Sequence, residues 1–143
     1  MVLVEDNLLQ TIRQGLTDEL SAGVNYTQAA AKEQDMGLKK QFLNYAMDEM
    51  SHAQKLLGLL ESMGQQAGRL DLTLFQEMDL LVDLLEYRAH EESAIFYYDI
   101  LENLHEDESV KMLCRQIRQE EQRHLNNITD IIDGIKSGAY HDE

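Results

Sequence analysis

The sequence predicts an all-α protein built as a four-helix bundle, and three observations carry the prediction. The 143 residues contain no proline and no Trp, while Leu, Glu, Gln, Ala, Met and Lys abound, a composition that suits helix better than sheet. Apolar residues recur at helical spacing in four segments set apart by turn signals. The second half of the chain repeats the polar punctuation of the first at a shift of 72 residues, as a duplicated helical hairpin would. The length suffices for a single core, so one domain spanning residues 1–143 is expected.

Helix A is expected to open at the N-cap residue Asn7, with Gln10 three positions on, and to end near Asp35-Met36-Gly37. Its inward stripe reads Leu9, Ile12, Leu16, Leu20, Gly23 and Ala30. Helix B carries Leu38, Phe42, Tyr45, Leu56, Leu59, Leu60 and Met63, and Gly64 can stop it. Helix C shows Leu81, Leu84, Ile95, Tyr98 and Leu101. Helix D, capped at Asp107 or Ser109, shows Val110, Leu113, Ile117, Leu125, Ile128, Ile131 and Ile135, then frays after Gly134 and Gly138. Between B and C, Met63 to Phe75 reads as a long crossover. Gly64 and Gly68 allow turns, and Leu70, Leu72 and Leu74 alternate with polar residues as a strand lying on the bundle would. The alternative is a short turn around Gln65 to Gly68 with helix C starting near Asp71.

Charge and cysteine usage exclude several function classes. Twenty-seven acidic residues against 12 basic ones give a formal charge of −15, which repels phosphate backbones and anionic lipid surfaces and attracts cations. Neither nucleic acid nor a membrane is an expected partner, and most of the acids are read as a solvated helix exterior. Cys114 is the only cysteine, so the chain holds no internal disulfide and no Cys-x-x-Cys metal knot, which suits a reducing cytoplasm. The opening Met1-Val2-Leu3-Val4-Glu5-Asp6 lacks the basic and apolar regions of a signal peptide.

The apolar faces are interrupted, and the interruptions carry the functional signal. Glu19 falls between Leu16 and Gly23, Glu49 and His52 between Tyr45 and Leu56, Glu91 four residues before Ile95, and Glu121 and His124 between Ile117 and Ile128. Six polar side chains on inward faces need one another or a metal, because an unpaired buried carboxylate costs several kcal/mol. The 72-residue shift lays Glu19 on Glu91, Tyr26 on Tyr98, Asp35 on Asp107, Glu49 on Glu121 and His52 on His124, over segments 15–60 and 87–132. One Glu-x-x-His is a common accident in so acidic a chain. Two in register, each 30 residues after a single Glu, are not.

Glu and His three apart project from one helix face on adjacent turns, so a carboxylate oxygen and an imidazole nitrogen can reach one cation or two neighbouring ones. Two such motifs with two further glutamates supply four carboxylates and two imidazoles, enough charge to offset two divalent ions. Hard oxygen ligands with few nitrogens favour iron first and manganese second over copper or structural zinc. Asp48 and Glu120 precede the motif glutamates and are candidates to hold the histidines, or are ordinary exposed acids. Tyr26 and Tyr98 lie two turns from Glu19 and Glu91 and read either as groups that bond a ligand or supply an electron, or as core tyrosines.

These residues resemble the ferritin-like superfamily, in particular bacterioferritins and the di-iron domain of rubrerythrins, over nearly the whole chain. Asp48-Glu49-Met50-Ser51-His52-Ala53 is similar to the bacterioferritin helix B motif, and Glu120-Glu121-Gln122-Arg123-His124 to its helix D counterpart. The resemblance implies a ferritin-like bundle with a long B–C crossover. It also implies two iron ions held by Glu19, Glu49, His52, Glu91, Glu121 and His124. Met50 stands where bacterioferritins place a haem-ligating methionine across a dimer interface, although an apolar surface role suits it equally and haem is not the expected cofactor. The second carboxylate that rubrerythrins carry one turn further along helix C is replaced by Ala94 and Ile95, and the cysteine module is missing. The chain after Gly134 leaves little room for the fifth helix of a ferritin cage, so a homodimer is expected instead. His90, His105 and His141 read as exposed histidines on polar faces or in the tail.

The function implied is a di-iron oxidoreductase in which Fe(II) is oxidised by O2 or hydrogen peroxide, with an electron donor that the sequence does not identify. Two electron donors held side by side can deliver a two-electron reduction in one encounter. The alternatives are an iron-binding or storage protein without turnover and a structural bundle whose Glu and His pair with each other. The last is disfavoured because a half-satisfied polar network is worse than an apolar core.

Overall fold

Four helices follow from the pattern of apolar stripes and aspartate caps, and the computed structural model describes them over residues 2–75 and 79–138, with side chains from Asn7 onward. They are α1 (Val2–Lys32), α2 (Met36–Ser62), α3 (Leu80–Leu104) and α4 (Glu108–Lys136). The chain divides into two compact units, residues 1–75 and 76–143. Each unit is a helical hairpin, α1 against α2 and α3 against α4.

Three of the helices begin in the same way. Asp35, Asp79 and Asp107 lie outside helical backbone space and accept from Leu38, Val82 and Ser109 N–H respectively at 3.0, 3.0 and 2.8 Å. Each satisfies an otherwise orphaned donor and places negative charge at the positive helix end. Helix α1 departs from expectation. It is already running at Val2, and the Asn7 carbonyl accepts the Thr11 hydroxyl at 2.7 Å from inside the helix. Asn7 is therefore not a cap, although Asp79, its counterpart 72 residues on, is one. α1 stops at Lys32, a few residues before the expected end, because Asp35 is used to start α2. Gly64 sits at φ +73 just past α2, as a helix-stopping glycine should.

In the first hairpin Ile12, Leu16, Tyr26, Phe42, Leu56 and Leu60 are buried, and in the second Leu84, Tyr98, Leu101, Ile117, Ile128 and Ile132. Ile95, Leu113 and Leu125, expected inside, are only half-buried. Ala94 and Cys114 take the inward positions instead. The inward line of α3 runs Glu91, Ala94, Tyr98, Leu101, a 3-4-3 spacing that leaves position 95 to the side. Burial pushes the Cys114 thiol up to about 11, so it stays protonated and unreactive at neutral pH. On the surface of the second hairpin, Arg118 and Arg115 reach Glu102 across from α4 at 2.8 and 2.7 Å and hold its carboxyl below the usual range.

The chain from Met63 to Phe75 contains no helix, and α3 begins at Leu80, so the alternative of a short turn with a helix from Asp71 does not hold. The segment lies along α1. Arg13 Nη2 donates to Gln65 Oε1 and Gln66 O at 3.2 and 3.1 Å. Further on, Thr73 N–H donates to Ser21 Oγ at 2.9 Å, Asn25 Nδ2 donates to Thr73 O at 3.2 Å, and Phe75 N–H donates to Asn25 Oδ1 at 3.0 Å. Anchors at 13, 21 and 25 in that order mean that the segment runs back along α1, recrossing about 18 Å of helix at 1.5 Å per residue. The attachment is polar. Leu72 and Leu74, expected to lie against the helices, are exposed, because at this register the backbone groups of Thr73 and Phe75 face α1.

Replacing the buried Asn25 by Ala should free the Thr73 carbonyl and the Phe75 amide and cost about 1–3 kcal/mol in denaturant unfolding. Trypsin should then cut after the exposed Arg69 faster than in the unaltered protein, with Ser21→Ala milder because it loses one bond. Unchanged cleavage in Asn25→Ala would show that these bonds do not hold the segment.

Candidate metal centre

Each hairpin gathers one Glu from its first helix and a Glu and a His from its second. Helical spacing brings Glu49 and His52 onto one face of α2, and the antiparallel fold of α1 against it brings Glu19 alongside. His52 Nδ1 lies 2.7 Å from Glu19 Oε2 and 3.6 Å from Glu49 Oε1. In the second hairpin His124 Nδ1 lies 3.5 Å from Glu91 Oε1 and 3.6 Å from Glu121 Oε1. The same atom of each histidine thus meets the same pair of carboxylates, one from its own helix and one from the neighbour. All six residues are 0–2 % exposed.

Burial on this scale makes charge expensive, and the second hairpin shows how. The Glu91 carboxyl is raised above its ordinary value, first by desolvation and next by the nearby Glu121. The hydrogen bond from His124 and the charges of His90 and His124 pull the other way. A cation between the carboxylates would reverse the balance, since its charge offsets both the desolvation and the repulsion. Two carboxylates and one imidazole nitrogen converging in a dry hairpin make a donor set suited to a divalent ion such as Fe(II) or Mn(II).

The other candidate residues fall into three places. Tyr26 is buried in an aromatic cluster, 5.4 Å from the Tyr45 ring in an edge-on contact and 6.5 Å from Phe42. Tyr98 is buried edge-on against Tyr97 at 4.9 Å. Met50 lies on the exposed side of α2, where its Cε comes within 3.1 Å of the position a Cβ on Gly23 would take. It lines an apolar groove of about 690 Å³ with Leu16, Leu20, Met47 and Leu57.

His90 carries more than its sequence position suggested. It is half-buried and close enough to Glu91 for its charge to favour the ionised carboxylate. Its place directly before Glu91 was the available signal, but neighbours in a helix point some 100° apart, which argued for a polar face. His105 is also half-buried, where its Nδ1 accepts the Asp107 N–H at 3.2 Å in the turn between α3 and α4. His141 lies outside the described residues.

A family model for rubrerythrin matches residues 10–132 of the chain. No curated protein sequence matches it. Among solved structures, a bacterioferritin from Desulfovibrio desulfuricans is similar with a TM-score of 0.78 at 20 % identity, over 94 % of this chain and 82 % of that one. A manganese catalase from Anabaena gives 0.79 at 22 % identity, over 90 % and 72 %. A dodecameric thioferritin, a bacterioferritin-related protein from Bacteroides fragilis, gives 0.82 at 18 % identity, over 94 % and 89 %. These likenesses establish the fold as a ferritin-like four-helix bundle with a long connection between its second and third helices. Among the described residues no helix is long and apolar enough to cross a membrane.

The raised Glu91 carboxyl has a consequence for the metal-free protein. A carboxyl raised by folding contributes stability that is present below its unfolded value of about 4.3 and is lost as pH rises through its folded value. Glu91→Gln should therefore stabilise the metal-free protein, and the gain should grow as pH rises from the unfolded value towards the raised folded one and level off above it when thermal unfolding is followed from pH 4 to pH 8. A difference that stays flat with pH would show that the Glu91 charge costs nothing when buried.

Proposed function

The chain belongs to the rubrerythrin family, and we infer that it is a di-iron oxidoreductase in which O2 or hydrogen peroxide oxidises Fe(II). Glu19, Glu49, His52, Glu91, Glu121 and His124 are the six ligands in this reading, and the two hairpins act as one domain. One observation carries it: each hairpin separately brings two buried carboxylates to one imidazole Nδ1, at 2.7–3.6 Å. In each trio two buried carboxylates face a single imidazole, so a cation balances the charge better than the histidine alone would. The manganese catalase among the similar structures makes Mn(II) the second choice of metal.

When bound, a pair of iron ions supplies two electrons in one encounter with the oxidant. The residues do the rest. Neutral His52 and His124 offer their Nδ1 lone pairs, and four carboxylates bring four negative charges to balance two divalent cations. Burial keeps bulk water away and magnifies each charge interaction. Because burial and the nearby Glu121 raise the Glu91 carboxyl, a cation held there would compete with a proton, and loading would be favoured by rising pH. Tyr26 and Tyr98 are positioning residues or electron sources in this reading. The protein works as a homodimer in a reducing cytoplasm and draws on an electron donor yet to be identified.

Glu49→Ala and Glu121→Ala should each lose at least one metal per chain by elemental analysis, keep most of their helicity, and show no rapid absorbance change when Fe(II) meets O2 or peroxide in stopped flow. Glu19→Gln should act more mildly, because it keeps the shape and loses the charge. Full two-metal occupancy in either alanine variant would defeat the ligand assignment. Occupancy without oxidation in the unaltered protein would leave a binding or storage role.

Metal should also stabilise the fold. At a free Mn(II) concentration 100 times Kd, the unaltered protein should gain about 2.7 kcal/mol, read as a higher Tm, and Glu49→Ala should gain much less. Equal Tm values with and without Mn(II) in the unaltered protein would show that the ligands do not converge on an ion.

A further inference from the structure

The outward side of α3 carries an apolar row that its own hairpin does not use. Val82, Leu85, Ala89, Ser93, Phe96 and Ile100 follow one another at spacings of three and four, so they share one face of the helix. That face lies opposite the buried line Glu91, Ala94, Tyr98 and Leu101. All six members are exposed, Phe96 by 66 %. Four large apolar side chains in one row are more than the scattered hydrophobes of an ordinary surface.

The internal repeat supplies a control. At the same register α1 carries Gln10, Arg13, Thr17, Ser21, Val24 and Gln28. There Arg13 and Ser21 hold the segment between α2 and α3, through Gln65, Gln66 and Thr73. The first hairpin therefore lays its own chain over this face by polar contacts. The second carries apolar groups in the same row, and the described residues leave them exposed.

We propose that the α3 row is a contact between copies of this chain, in which α3 packs antiparallel on α3 of a second copy about a two-fold axis level with His90 and Glu91. In that register Val82 meets the partner's Ile100, Leu85 meets the partner's Phe96, and Ala89 meets the partner's Ser93. Large groups pair at both ends, and small ones at the centre let the helices approach closely. Arg88 and Glu92, 4.0 Å apart on the flank of the row, complete the match: Arg88 comes beside the partner's Glu92 and Glu92 beside the partner's Arg88. A parallel pairing would set Arg88 on the partner's Arg88 and align the helix dipoles. This self-matching in size and charge selects a second copy over a different protein. In a chain of net charge −15, a face whose centre carries one base and one acid also lets two copies meet without strong repulsion. The row is about 27 Å long at 1.5 Å per residue. A strip roughly 20 Å wide then buries about 1,100 Å² in total, near the lower bound for a specific contact, so the association is concentration-dependent. The face belongs to the second hairpin, apart from the Met50 side of α2, and it goes beyond the homodimer reading above, which assigns no face.

Sedimentation of the full chain across a wide range of concentration tests this, with helicity and metal content measured on the same samples. Leu85→Glu and Phe96→Lys should each raise the dissociation constant about tenfold or more, because each sets a charge against an apolar side chain. The double variant should recover the association, since each introduced acid then faces the partner's introduced base. Gln119→Lys, on the exposed side of α4, should change nothing. Should a charged variant lose helicity, Phe96→Ser decides by the same criterion. An unaltered protein that stays monomeric, or a mass that the single variants do not move, would overturn the contact. Dissociation without recovery in the double variant would overturn the antiparallel register. Metal content should be the same in every variant, so a failed association leaves the metal reading untouched, and metal missing from a protein that associates as expected counts against that reading alone.

Discussion

Burying two carboxylates and an imidazole at one level of a helical hairpin is the constraint on which this molecule turns. Without a cation the arrangement is costly, as the raised Glu91 carboxyl and its repulsion from Glu121 record. The cost is met by long, well-capped helices with apolar residues above and below the trio, such as Phe42 and Leu56 around Glu49 and His52, and Ile117 and Ile128 around Glu121 and His124. A site that breaks the rule of apolar interiors must be supported by an otherwise consistent fold. Here the caps, stripes and glycine stop all agree.

Duplication explains why the constraint is met twice by the same means, and the places where the halves diverge show what each half does beyond it. Ser21 is buried and holds Thr73, whereas Ser93, its counterpart, is exposed. Asn25 bridges Thr73 and Phe75, and its counterpart is Tyr97, which packs on Tyr98 instead. Only the first hairpin carries the chain that leads on to α3, so only it needs polar side chains aimed at an extended backbone. Likewise Phe42 and Tyr45, which complete the aromatic cluster around Tyr26, give way to Cys114 and Ile117 in the second hairpin. The two halves surround similar trios with different walls.

Much of this was legible in the sequence because helical geometry is local. A spacing of three positions from Glu49 to His52, or from Glu121 to His124, fixes a shared face whatever packs against it. Asp107 and Gly64 act where a cap and a stop were expected. What was hidden depends on long-range partners. Asn7 has the chemistry of a cap, yet the helix passes through it, since a preference for one terminus does not forbid helix on the other side. Leu72 and Leu74 alternate correctly for a strand on an apolar surface, but the surface they meet offers Ser21 and Asn25, and hydrogen bonds to the intervening backbone settle which way they point. His90 was invisible for a similar reason: its influence on Glu91 is electrostatic and needs no shared face.

The same logic bears on how the two faces of α2 relate. One turn of this helix presents the buried Glu49 inward and the exposed Met50 outward, on adjacent residues. On α4 the corresponding pair is Glu121 and Gln122. The inward member is retained in both copies and the outward member is apolar in one and polar in the other. The two hairpins thus share their interior at this level and differ in their exterior.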